Sequence, residues 1–322
     1  MSEGGDWSPG VWSGYDFKSA RTAYDKHAGR SYDDAIAKKV SVNKLVTKSL
    51  ETNAKSPLVI ACDVTGSMKE WPAVIFEKLP LLDLEIKEYL DDPEISFAAV
   101  GDAYSDNYPL QVQKFSSGTD LTDRLKELII EGNGGGSTQE SYDLAALYYA
   151  RNIKMPKAVK PIFIFIGDEG LYEHIDKDHA EKWAHATIES KLTTRQVIDE
   201  LKSKYAVYAI RKLYDSSSGD GMSPTDKRIQ AQWESYLGAD HVVILPEARR
   251  VVDVVFGVLA KETSMQAYFL KELTERQKPG QIKTVMDALK TIHGPPAGLL
   301  ADPGKSVMAK SRKADGKTKS LI

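Results

Sequence analysis

The stretch LVIACDVTGSM, Leu58 to Met68, runs five apolar residues into an aspartate and then sets a hydroxyl at every second position. Asp63, Thr65 and Ser67 thus bring three side-chain oxygens into five residues. Such a triplet can cap a helix starting near Lys69, hold a phosphate, or hold a hard cation, which prefers oxygen ligands.

Two further segments carry oxygens of the same kind. NGGGSTQE places Thr138 just after a glycine run, and PIFIFIGDEG places Asp168 at the end of an apolar run. Phosphate has weaker support. Gly304–Ser306 reads GKS, but the glycine required five residues earlier is Leu299. The NGGGST loop could cradle an anion but has no lysine to neutralise a triphosphate. His174, His179 and His185 lie close in sequence without HExxH spacing and read as a solvated charged helix, not a zinc site. No GxSxG elbow occurs, and Cys62 inside its apolar run reads as a buried small hydrophobe.

The elements that must position these oxygens follow from periodicity. PLVIACD, EISFAAV, PIFIFIG, AVYAIR and HVVIL are short apolar runs, as expected of strands buried on both faces, and LQVQKFS reads as a shorter, more polar strand. Between them lie helical stretches. WPAVIFEKLPLLDLEIKEYL reads as one helix, TDLTDRLKELIIEG as a helix with Thr119 or Asp120 as N-cap and a glycine stop, and RRVVDVVFGVLAKET as another. The alternation predicts an α/β fold, a doubly wound, mostly parallel sheet flanked by helices. Its ligand site should lie beyond the carboxyl ends of the strands, where the Asp63 and Asp168 segments both fall. Residues 1–50 form an irregular aromatic-containing arm, 51–263 the main domain, and 264–322 a helical extension with a basic tail. The arm's Trp7, Trp12, Tyr15, Phe17, Tyr24 and Tyr32 are expected to pack back onto the domain; docking on a partner is the alternative. The stretch between Gly170 and Thr193 is an insertion that either joins the ligand surface or lengthens a crossover.

The D-x-T-x-S order of Asp63, Thr65 and Ser67 resembles the D-x-S-x-S motif of the von Willebrand factor A (vWA) domain, in its intracellular bacterial or phage type. Thr138 follows Asp63 by 75 residues and Asp168 follows Thr138 by 30, in that family's order. The resemblance implies a metal-ion-dependent adhesion site held by Asp63, Thr65, Ser67, Thr138 and Asp168. Its ion would be Mg²⁺, with Mn²⁺ or Ca²⁺ as substitutes. It also implies that the ion keeps enough positive charge to capture an acidic side chain of a protein partner, and that the chain acts as an adaptor in a larger assembly, such as those with AAA+ ATPases. Thr65 departs from the more usual serine but keeps the hydroxyl. Gly66 and Gly134 to Gly136 would let the two loops bend and approach the ion. Asp102 and Glu169 sit at the same edge and read as solvated loop acids, with tuning of the ion as the alternative.

The 322 residues carry a formal net charge of −3, so nothing in the bulk charge calls for nucleic acid or an anionic membrane. No window approaches the roughly 18 apolar residues of a membrane span, and MSEGGDWSPG lacks a signal-peptide core. One cysteine permits no internal disulfide, which fits a cytoplasmic setting. These features predict a non-enzymatic interaction module. A metal-dependent phosphoesterase and a structural phage or shell component are the alternatives.

Overall fold

The computed structural model describes residues 10–131, 137–215 and 221–293. In chain order its principal elements are α1 (Phe17–Ala37), β1 (Ser56–Asp63), α2 (Glu70–Glu77), α3 (Leu79–Tyr89), β2 (Pro93–Val100), β3 (Leu110–Val112), α4 (Asp120–Lys126), α5 (Tyr142–Asn152), β4 (Ile162–Gly167), α6 (Lys177–Ala184), α7 (Thr194–Lys202), β5 (Ala206–Arg211), α8 (Pro224–Leu237), β6 (Val242–Ile244), α9 (Val251–Thr263), α10 (Gln266–Arg276) and α11 (Pro279–His293).

Six strands form one sheet in the order β6-β5-β4-β1-β2-β3. All neighbours are parallel except β3, which runs antiparallel at the edge. β1 is therefore central, bonded to β2 on one side and β4 on the other. The chain winds outward from β1 through β2 and β3, then returns to start again at β4. That reversal leaves a crevice beyond the carboxyl ends of β1 and β4, the place where doubly wound sheets bind ligands. The register sets Cys62 beside Ile166, so Asp63 and Asp168 leave the sheet side by side.

Side-chain alternation along β1 divides the core. Leu58, Ile60 and Cys62 join a cluster with α2, α3, α9 and α11, whereas Val59 and Ala61 join the opposite cluster with α5, α7 and α8. Asp63 follows Ala61 in phase and thus faces the α5 side. All eight β1 residues are buried, and each large apolar side chain so buried contributes roughly 1.5–3 kcal/mol.

The N-terminal segment packs on the first cluster. Weak periodicity allowed one or two short helices; α1 is a single helix of 21 residues, with the Asp16 carboxylate capping the Ser19 N–H. Trp12 is 2% exposed and donates through Nε1 to Asp83 Oδ2 at 2.9 Å, and the Tyr24 ring lies 4.7 Å from that of Phe76. The stretch expected as one helix divides into α2 and α3 at Lys78. Pro80 has no N–H for the Phe76 carbonyl, and the Tyr15 hydroxyl donates to it instead at 2.6 Å. α4 starts after Thr119 as expected but ends at Lys126. Beyond it the Ile129 N–H and carbonyl are both taken by the buried Gln111 amide, which holds this segment out of helical conformation. The expected stop, Gly132, and the GKS of the tail lie outside the described residues.

The carboxyl edge of the sheet as a candidate functional site

β1 delivers Asp63 to the crevice fully buried. Its Oδ1 accepts from the Thr65 N–H and from the Thr65 hydroxyl, both at 2.7 Å, and its Oδ2 accepts from the Tyr142 hydroxyl at 3.2 Å. Thr65 makes no side-chain capping bond to the short helical turn Gly66–Met68 that it precedes. Its hydroxyl points to the acids instead, so helix capping does not explain why a hydroxyl stands there. Ser67 follows in the same turn; its side chain lies outside the described part of the structure, as do Gly134 to Gly136.

β4 ends at Gly167, where only glycine leaves room for the site. A Cβ on Gly167 would lie 1.7 Å from the Tyr142 hydroxyl, the group that bonds Asp63. Asp168 follows, 3% exposed, and its Oδ2 meets Lys212 Nζ at 3.2 Å. Lys212 is the first residue past β5, and its N–H bonds the Gly167 carbonyl at 3.0 Å.

The segment after the glycine run enters from the α5 side. Gln139 and Glu140 pair in parallel with Gly170 and Leu171, and the Gly170 N–H bonds the Thr138 carbonyl at 3.0 Å. α8 clamps this ribbon through residues one turn apart. Gln232 bonds both the N–H and the carbonyl of Leu171, while Arg228 Nη2 donates to the Thr138 hydroxyl at 2.5 Å. The ribbon turns Glu140 inward to 1% exposure, with Oε1 3.4 Å from the Thr65 hydroxyl. Glu140 Oε2 is buried and meets no N–H or hydroxyl donor, and the Glu140 carboxyl shares a side-chain hydrogen bond with Glu169.

The structure thus gathers Asp63, Thr65 and Asp168 of the residues expected from the sequence. It adds Glu140, Tyr142 and Lys212, which sequence reasoning missed, and Glu169, which the sequence placed at this edge as a solvated acid. Thr138 stands beside them with its hydroxyl turned to Arg228. A carboxylate opening a helix straight after a glycine loop, at the ligand edge of the sheet, was the signal that could have found Glu140. Asp102 and Glu169 are not solvated as expected: they are 5% and 8% exposed. Asp102 accepts from the Tyr172 hydroxyl at 2.9 Å and caps the Tyr104 N–H at 3.0 Å.

Asp63, Glu140 and Glu169 are crowded away from water beside Asp168, and each is raised. Burial, then the charge of Asp168, pushes the Asp63 carboxyl up to about 7, against the lowering pull of its Thr65 and Tyr142 hydrogen bonds. Burial, then Asp63, raises Glu169 to about 8, and burial with Asp63 and Glu169 raises Glu140 to about 11. Burial and the same acids hold the Tyr142 hydroxyl well above its ordinary range, so it remains a donor. Lys212 offsets part of this charge. The buried Arg211 guanidinium is shared with Asp226, Nη2 to Oδ1 3.7 Å.

Among the described residues no three His, Cys, Asp or Glu side chains gather as a metal-holding set by themselves. The three clustered histidines serve separate contacts: His174 pairs through its backbone with Thr193, the His179 ring packs 4.6 Å from Tyr104, and His185 Nε2 meets the Val46 carbonyl at 2.8 Å. An ion at the carboxyl edge needs hydroxyls beside carboxylates. Asp63, Thr65 and Asp168 present oxygen, the ligand type a hard divalent cation takes, with the Lys212 ammonium beside Asp168.

No protein-family model matches the chain, and no curated protein matches it by sequence. Among solved structures it is similar to the pilus adhesin SpaC from Lactobacillus rhamnosus GG, at 12% identity over 67% of this chain and 32% of that one, with a TM-score of 0.47. The open conformation of SpaC gives 11% identity over 67% and 31%, with a TM-score of 0.44. An aerotolerance-related membrane protein from Bacteroides fragilis NCTC 9343, carrying multiple mutations to serines, matches at 10% identity over 64% of this chain and 99% of that one, with a TM-score of 0.35. The chain spans about a third of the adhesin's length. The α/β architecture stands on the strand order and register of the chain itself. No described helix is long and apolar enough to cross a membrane.

Proposed function

We propose that this protein is a vWA-type interaction module that holds a divalent cation at the carboxyl edge of its sheet and uses it to capture an acidic side chain of a protein partner. Asp63, Thr65, Ser67, Thr138 and Asp168 are the proposed ion-binding residues, with Mg²⁺ as the preferred ion and Mn²⁺ or Ca²⁺ as substitutes. The bound ion would supply a positive charge that neutralises the buried acids and attracts an external carboxylate. The chain's own part is to orient the oxygens. Tyr142 and Thr65 fix the Asp63 carboxylate, and Lys212 steadies Asp168. The role is proposed as non-enzymatic, as an adaptor in a cytoplasmic assembly.

The observation that carries this reading is the convergence of Asp63, Thr65 and Asp168 at the switch point of the sheet, beside the buried carboxyl groups of Glu140 and Glu169. Burial keeps protons on these acids, and a bound cation would displace them. The test is co-purification with and without chelator, together with calorimetric titration of Mg²⁺, Mn²⁺ and Ca²⁺. Asp63→Ala should abolish metal-dependent partner capture while its circular dichroism stays native. Partner capture by Asp63→Ala equal to wild type, with Mg²⁺ present, would refute the proposal. Turnover of a generic phosphoester that disappears in Asp63→Ala would replace the module with a hydrolase.

A further inference from the structure

Beyond the crevice, and independently of any ion in it, we infer that the surface formed by Tyr104, Tyr172, His179 and Asp176 is a docking site for an arginine side chain of a protein partner. Tyr104 is 59% exposed, the most exposed aromatic ring among the described residues. Its turn is tied down at several points. The Tyr104 N–H bonds Asp102 Oδ1 at 3.0 Å, the Ser105 hydroxyl bonds Asp102 Oδ2 at 2.9 Å, and the Ala103 N–H bonds the Ser141 hydroxyl at 2.9 Å. Two rings flank it: Tyr172, 4.7 Å between centroids at 51°, and His179, 4.6 Å at 72°. The Tyr172 hydroxyl is held by the same Asp102 Oδ1. The turn after β2, the segment after the ribbon and the first turn of α6 thus fix one exposed ring in place, so a side chain that meets it orders little on this protein's side.

Charge decides which side chain that is. Asp176 is exposed, caps α6 through the His179 N–H at 2.9 Å, and sets Oδ1 4.0 Å from His179 Nδ1. Burial, then the charges of Asp176, Asp143 and Asp102, raise the Tyr104 hydroxyl above its ordinary range, and no cation is among the groups that act on it. An acidic group would be repelled here, and a purely apolar one would strip water from Asp176 with no hydrogen bond in return. A cation gains from the ring face and from the carboxylate together. The planar guanidinium of arginine can stack on a ring while its N–H fork pairs with a carboxylate, whereas the ammonium of lysine is a point charge without that plane.

The experiment uses a random dodecapeptide display library as the probe, selected on the full chain in chelator, with Tyr104→Ala selected in parallel. Peptides kept by wild type and lost by Tyr104→Ala should carry arginine at about twice its library frequency or more. The leading peptide is then titrated by fluorescence anisotropy. Tyr104→Ala should weaken its binding by at least about fivefold, while Tyr104→Phe, which keeps the ring, should stay within about twofold. Asp176→Asn, which removes the charge but can still cap α6, should weaken it by at least about threefold, as should lysine in place of the peptide's arginine. Melting temperatures equal to wild type show that the variants are folded. Recovery of the same peptides by wild type and Tyr104→Ala overturns the inference. So do recovery of none, enrichment of acidic, apolar or lysine-bearing peptides in place of arginine-bearing ones, and an arginine peptide indifferent to Asp176→Asn. Because chelator is present throughout, failure here leaves the cation reading standing, and failure of the metal titrations leaves this site standing.

Discussion

Asp143 lies in the first turn of α5, where a carboxylate is ordinarily favoured by the helix N-terminus by about 0.3–1 kcal/mol. Here burial wins. The side chain is 3% exposed, Oδ1 has no hydrogen-bond partner, and the carboxyl is pushed from 3.8 to about 8 against the lowering pull of the Asp143 and Leu144 N–H groups. The folded protein therefore keeps a proton that the unfolded chain has already lost. Because the native state binds more protons, stability falls as pH rises from about 4 to about 8 and levels off above that. At ~1.4 kcal/mol per pH unit, this one group removes about 3 kcal/mol between pH 5 and pH 7. Asparagine has the shape of the neutral acid and does not titrate. Asp143→Asn should match wild type near pH 4 and exceed it by about 4 kcal/mol at pH 7. Urea denaturation of both proteins in chelator at pH 5, 6 and 7 measures this. The difference between the two curves cancels the titrating groups that do not interact with Asp143. A difference that stays constant across the range, or that shrinks as pH rises, refutes the argument that burial overrides the helix terminus at Asp143.

Three further outcomes follow from the packing. Gly167→Ala drives a methyl into the Tyr142 hydroxyl, whose ring is wedged against Phe165 and Trp233. It should cost about 1–3 kcal/mol in denaturant unfolding, and a neutral result would mean the β4 end is looser than described. Trp12→Ala should destabilise the whole fold by about 3–5 kcal/mol, since the indole is core and bonds Asp83; an unchanged melting temperature would show an arm independent of the domain. Cys62 is buried, and burial with the nearby Asp63 and Asp168 charges raises its thiol well above its ordinary range. Under native conditions it should resist a thiol reagent and react within minutes only after denaturation; prompt labelling of native protein would contradict the packing of β1.

The sheet was legible in the sequence because strands buried on both faces leave uninterrupted apolar runs, and Leu58–Cys62 and Ile162–Ile166 are such runs. The ends of those runs fixed where Asp63 and Asp168 leave the sheet, and the alternation with helices fixed that both ends share one edge. Boundaries were less legible wherever a distant group intervened. Pro80 split one helical pattern in two with the Tyr15 hydroxyl as the replacement donor, and the Gln111 amide stopped α4 short of its expected glycine. The aromatic residues of the N-terminal segment gave little periodic signal, yet Trp12 and Tyr24 are core.

The candidate site divides in the same way. Residue type and order named Asp63, Thr65 and Asp168, since each follows directly from its own strand. Whether Glu140, Glu169 and Asp102 face water or the crevice was not a local property. The pairing of Gln139 and Glu140 with Gly170 and Leu171 decided it, together with the grip of Gln232 and Arg228 from a helix some 90 residues further along the chain. Periodicity along a chain reports only which face of its own element a residue occupies. Whether an acid at an element's end meets water, an arginine or three other acids depends on which segments the sheet order sets beside it.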